Sequence, residues 1–156
     1  MFLVSDTVSE RHERIIKFLE KEPAIAVLLA AAHFEWVLRR AIIALGHSPN
    51  TVIRHNLESA HGLDKFKEIW KDEVSSHNKS IKILAFEIKY WSNFKKAFKL
   101  RHKLIHGVSS CTREYAEPRV KLILQAAQDV IEVCKRQNYD INAKLPIRKK
   151  SKNTGT

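Results

Sequence analysis

PAIAVLLAAAHFEWVLRRAIIAL, residues 23–45, is the stretch on which the fold turns. Ile25, Leu28, Leu29, Trp36, Val37 and Ile42 distribute apolar side chains nearly all round a helical cylinder. A helix with so little polar face belongs at the buried centre of a bundle. Pro23 lacks an N–H and suits a first helical turn, and Gly46 and Pro49 supply the stop. The apolar run 24–32 is far short of the ~20 residues that span a bilayer, so a membrane is not an expected partner. His33 and Glu35 interrupt the apolar stretch, and Arg39 and Arg40 follow as a doublet. They are either positions on one polar strip, or Glu35 orients a cationic catalytic group through a charge-assisted hydrogen bond.

Outward from this centre the remaining segments also read as helices. Thr7 to Glu10 forms a capping box, which predicts a first helix to about residue 22 with Val8, Ile15 and Leu19 inward. Residues 1–7, MFLVSDT, turn polar too early for a signal peptide. Residues 48–62 read as a connector with a short helical turn around 52–57. Asp64 is the expected N-cap of a third helix carrying Phe66, Ile69, Trp70 and Val74. SSHNKS either interrupts it or, having no Pro or Gly, lets one helix continue; a helix over 79–106 follows, with Ile81, Leu84, Ile88, Trp91, Phe94 (or Lys95), Phe98 and Ile105 as its core stripe. After a loop over 108–117, Pro118 opens the last helix, whose inner stripe is Val120, Ile123, Leu124, Ala127, Ile131 and Cys134. Only four Gly and four Pro occur, and strand-like alternation is absent. The expected fold is all-α: an up-and-down helical bundle of about five helices over residues 1–140. A basic tail over 141–156, with Lys144, Arg148, Lys149, Lys150 and Lys152 and no acid after Asp140, is expected to be disordered.

Twenty-eight Lys and Arg against seventeen Asp and Glu give a formal charge of +11, which calls for an acidic partner, a nucleic acid or an anionic surface. The excess is concentrated. Over 79–103 the chain carries Lys79, Lys82, Lys89, Lys95, Lys96, Lys99, Arg101 and Lys103 against Glu87 alone. Lys95, Lys96, Lys99 and Lys103 are therefore the candidate RNA contacts. Cys111 and Cys134 form no CxxC pair, which fits a reducing cytoplasm rather than a disulfide scaffold.

The same basic helix ends in KKAFKLRHKLIHG, residues 95–107. At helical pitch Arg101 and His102 lie about 100° apart and His106 about 140° from Arg101, so one permanent cation and two imidazoles share half of the circumference. Three readings follow. As a ribonuclease site, Arg101 stabilises the charge on a phosphorane and His106 transfers a proton near neutral pH. As a metal site, His102 and His106 stand at i and i+4. That reading needs Cys111 or a distant carboxylate as third ligand, Lys103 occupies the place of the HExxH glutamate, and flanking cations repel a dication. No metal or other cofactor is therefore expected. As a structural feature, Arg101 caps the helix terminus and His106 packs against the next helix.

The Arg-x4-His spacing, Arg101 to His106, resembles the motif of the HEPN family, and the order of amphipathic helix, motif, glycine, polar loop and last helix over roughly residues 23–138 is similar too. The resemblance implies a small helical domain acting as a metal-independent endoribonuclease in a toxin–antitoxin or phage-defence setting. It implies a homodimer in which two motifs line one cleft, and a possible antitoxin or regulatory partner. His102 stands where relatives often carry a polar residue such as Asn, and here binds phosphate or holds the loop. A HEPN-like domain that only binds RNA or a partner is the alternative. Val108 stands where one subclass carries a tyrosine that its antitoxin modifies, so that mode of control is not implied.

Overall fold

The computed structural model describes residues 2, 5–107 and 111–149. Seven α-helices and no strand occur among the described residues. The central helix α2, Pro23–Leu45, has the bounds its sequence predicts. Ala26, Val27, Ala30, Ala31, Phe34, Val37, Leu38, Ala41 and Ile42 are all fully buried along it. The alanines among them let neighbouring helices approach closely, and α2 packs most extensively against three: α1 (Val8–Lys21), α6 (Trp91–Ile105) and α7 (Arg113–Arg136). Ile15 and Leu19 of α1 reach this core from behind the expected capping box. There the Thr7 hydroxyl accepts from the Glu10 N–H at 3.3 Å, and the Glu10 carboxylate accepts from the Thr7 N–H at 2.6 Å.

Five expectations along the chain are corrected. The short turn near 52–57 is a full helix, α3, over Asn50–Glu58. Helix α4, Leu63–Trp70, has Gly62 (φ +83°) as its N-cap rather than Asp64, whose carboxylate instead sits in the first turn near the positive end of the helix dipole. It runs on as a π-helical turn over Lys71–Ser75.

The long helix over 79–106 does not form. It is replaced by a one-turn helix α5, Leu84–Glu87, and by α6. Side chains capture the backbone in between. The Trp70 indole donates to the Lys82 carbonyl at 2.9 Å, the Glu87 carboxylate accepts from the Lys82 N–H at 2.8 Å, and Asp129 accepts from the Lys89 N–H at 3.0 Å. These bonds offer the chain an alternative to the helical ladder, which period counting does not see. Ile81, Leu84, Ile88, Phe94 and Phe98 are buried as expected, but Ile105, the last member of that stripe, is 55% exposed.

The last helix starts at Arg113, because the Thr112 hydroxyl caps it by accepting from the Tyr115 N–H at 3.2 Å. Pro118 is thus inside α7, where its missing N–H withdraws the bond that the Glu114 carbonyl would accept. Part of the expected 108–117 loop, residues 108–110 with Val108, lies outside the described residues.

Residues 141–149 are a docked strap rather than a free tail. Ile141 is buried, and Arg40 donates to the carbonyls of Ile141 at 2.7 Å and Ala143 at 2.6 Å. Arg148 donates to the Ile43, Ala44 and Ser48 carbonyls at 2.6, 3.3 and 3.1 Å, placing its charge at the negative end of α2. Asn50 closes the strap from the other side, donating to Pro146 O at 2.7 Å and accepting from the Arg148 N–H at 2.9 Å. The junction tolerates no side chain at Gly46, since a Cβ there would collide with Ile53 Cδ1 and meet the Ile42 carbonyl at 2.6 Å. Lys150 and Lys152 lie outside the described residues. No described helix is long and apolar enough to cross a membrane.

Candidate functional site

Helix α6 presents Lys95, Lys99 and His102 at spacings of four and three, a ridge that continues to His106 just past the helix end. At 100° per residue these four positions fall within an arc of about 60°. Arg101 lies about 100° further round, toward α2. There its Nη1 meets Glu35 Oε1 at 3.0 Å. Glu35 is largely buried, at 18% side-chain exposure, so its carboxylate is a fixed acceptor at the edge of the core. The guanidinium also lies 5.7 Å from the Phe98 ring centroid, and Phe98 is itself packed on Phe34 and Phe94. Arg101 is therefore positioned from both sides.

The two motif histidines sit together. The His102 and His106 ring centroids are 4.3 Å apart at 49°, and both residues are exposed. His106 is the C-cap residue, its N–H donating to the His102 carbonyl at 3.1 Å. Gly107 then takes φ +112°, a region where a side chain is strained, so the turn that releases His106 from the helix depends on glycine there.

A groove of about 560 Å³ opens beside this helix end. One wall is Lys95, Phe98, Lys99, Arg101 and His102; the other is the turn 61–64 that leads into α4. His61, at the end of the connector that the sequence predicts over 48–62, thereby faces the same space as Arg101 and His102. No local signal marks it, because forty positions and a chain reversal separate it from Arg101. His106 is not among the lining residues. Lys96 and Lys103 are exposed on the opposite flank of α6, about 70–90° from the centre of the ridge by helical pitch.

Of the other residues flagged by sequence, the two arginines of α2 have structural partners. Arg39 donates to the Leu57 and Ala60 carbonyls, and Arg40 holds the strap. His33 is buried against Trp36, its Nδ1 has no hydrogen-bond partner, and burial followed by the nearby Arg11 charge lowers its pKa to about 4. Burial likewise raises the thiol pKa of Cys111, leaving less of the thiolate that a metal would require. Among the described residues no three His, Cys, Asp or Glu side chains converge in a way that would hold a metal ion.

Comparison with family models, curated proteins and solved structures gives no match to this chain. The likeness to HEPN domains rests on the motif and the order of elements alone.

Proposed function

We propose that the end of α6 is the active site of a metal-independent endoribonuclease. The observation that supports this most is the Glu35–Arg101 pair, which holds a guanidinium in the lining of a cationic groove that His102 shares, with the His106 ring 4.3 Å from that of His102. RNA carries its own nucleophile. In the reaction the 2′-hydroxyl loses its proton to a base, the O2′–P bond forms, the P–O5′ bond breaks, and the departing 5′-oxygen gains a proton. Products are a 2′,3′-cyclic phosphate and a 5′-hydroxyl. His106 is assigned the proton transfer and Arg101 the equatorial oxygens of the phosphorane. His102 contacts the phosphate. Lys95 and Lys99 along the groove, and Lys96 and Lys103 on the outer flank, meet the RNA backbone.

One helix end supplies one strong acid–base group, so a homodimer with a shared site is part of this proposal. Ile105, 55% exposed one residue before His106, supports it by offering an apolar contact where a second copy would seat. The setting implied by the HEPN likeness is a cytoplasmic toxin or phage-defence protein, with an antitoxin or other regulator as partner.

Incubation of the protein with RNA in EDTA, beside an Arg101→Ala control, tests the proposal directly. Cleavage to cyclic-phosphate ends by the wild-type chain alone is expected. Activity lost in EDTA and restored by zinc would transfer the site to metal chemistry. Binding without cleavage would support the second reading, a non-catalytic RNA- or partner-binding module. That reading draws its own support from His106 standing outside the groove lining.

A further inference from the structure

The segment 81–90, IKILAFEIKY, is built to hold apolar side chains in solvent. Ile81, Leu84 and Ile88 are buried at 3, 1 and 2% exposure, while Ile83, Phe86 and Tyr90 are exposed at 41, 73 and 48%. Nothing about this exposure is loose. Trp70, Glu87 and Asp129 fix the backbone at Lys82 and Lys89, and Arg136 fixes Glu87 through a 2.9 Å ion pair. Exposed apolar groups on so well-anchored a segment mark a contact surface.

The charge around them identifies its partner. Lys79, Lys82 and Lys89 are exposed, with the Lys89 ammonium 5.3 Å from the Tyr90 ring centroid. The nearby carboxylates are engaged: Glu87 by Arg136 and the Lys82 N–H, Asp129 by the Lys89 N–H and Gln125. Aromatic faces among cations are the means by which proteins hold unpaired bases and their phosphates. The surface also leads somewhere. Tyr90 is followed by Trp91, over whose ring the Lys67 ammonium lies at 5.7 Å, and Trp91 opens the helix whose Lys95–Lys99–His102 ridge borders the groove. Trp91 and His102 are eleven positions apart on α6, about 17 Å along its axis. Insertion into a lipid surface would require apolar groups standing beyond their lysines; here a lysine lies over one of the rings and the cations continue along the helix.

We propose that Phe86 and Tyr90 form a stacking platform for unpaired bases of single-stranded RNA, which α6 then carries toward the groove. The occupant follows from the RNA reading of the α6 terminus, but the platform is a separate site with its own assay.

The test is anisotropy titration of a labelled single-stranded RNA of about twelve nucleotides, with 2′-O-methyl sugars so that it cannot be cleaved. The Phe86→Ala/Tyr90→Ala variant should bind about tenfold or more weakly, since stacking contributes strongly per base. Phe86→Trp should retain affinity and Phe86→Leu should not, which separates stacking from apolar burial. A duplex of the same sequence should bind all variants alike. The proposal is overturned if the double variant, with its helical circular dichroism intact, binds the single strand as wild type does. It is equally overturned if the double variant changes only sedimentation, or only binding to phosphatidylglycerol vesicles. RNA bound on this face without cleavage by the wild type would leave the platform standing and remove the ribonuclease reading instead.

Discussion

Arg101 Nη1 lies 3.0 Å from Glu35 Oε1, across an interval of 66 residues and between the two helices that meet at Phe34 and Phe98. A flexible arginine is thereby given one orientation by a carboxylate the core keeps in place. The function of such a pair is positional, because a group contributes to a transition state only when held where charge develops.

Glu35→Gln is therefore the informative change. It preserves shape and hydrogen-bonding capacity but removes the charge that fixes the guanidinium. Cleavage by Glu35→Gln should fall about tenfold or more in kcat, with little change in KM and an unaltered circular dichroism spectrum. Equal turnover by the two proteins would make the pair a packing feature only.

His106→Ala should abolish cleavage and relieve any growth toxicity while leaving helicity unchanged, since His106 is exposed and stands past the last residue of α6. His102→Ala should weaken substrate binding more than turnover. Measuring kcat and KM for both variants separates the two roles, and a fully active His106→Ala protein would remove this residue from the chemistry.

The Glu35–Arg101 pair was half legible in the sequence. A carboxylate inside an apolar helix marks itself, and so does Arg101 at a helix end, but their meeting depends on how α2 and α6 cross. Helix α2 was legible to the residue, because composition, Pro23 and Gly46 all agree. The break at 82–90 was not, because it is made by Trp70 and Asp129, side chains distant in sequence that satisfy backbone groups in place of helical bonds. The strap failed for a related reason. Residues 141–149 have no periodicity to read; their order comes from arginines and an asparagine donating to carbonyls.

Arg148 tests that strap. Its guanidinium meets three carbonyls at the end of α2, so Arg148→Ala should destabilise the protein by about 1–3 kcal/mol in urea melts. Removing residues 150–156 should leave those melts unchanged and reduce the salt dependence of RNA binding, because two lysines and no acid are lost. A melt unaffected by Arg148→Ala would return the strap to the status of a passive tail.

His33 sets an acid limit on stability. Burial lowers its folded pKa to about 4, below the ordinary imidazole value of roughly 6.5. The unfolded chain therefore binds this proton more readily than the folded one. The contribution is complete above about pH 6.5 and declines as pH falls toward 4, by about 3 kcal/mol in all. His33→Phe should lose stability less steeply than wild type through that window. Parallel stability–pH curves would show that His33 does not titrate in this way.

Assembly decides between an enzyme and a binding module. His106 alone cannot serve as base and acid on opposite sides of one in-line displacement, and proximity rewards only groups held in attack geometry. In the proposed homodimer a two-fold axis near His106 and the exposed Ile105 would supply the second set. Sedimentation should then show a homodimer, and Ile105→Lys should weaken it. Mixing His106→Ala chains with wild-type chains should lower activity by more than dilution, because a mixed dimer has an incomplete site. A monomer with full activity would refute the shared site. The second proton would then have to move through the imidazole across the groove, and loss of that monomeric activity in His61→Ala would identify it.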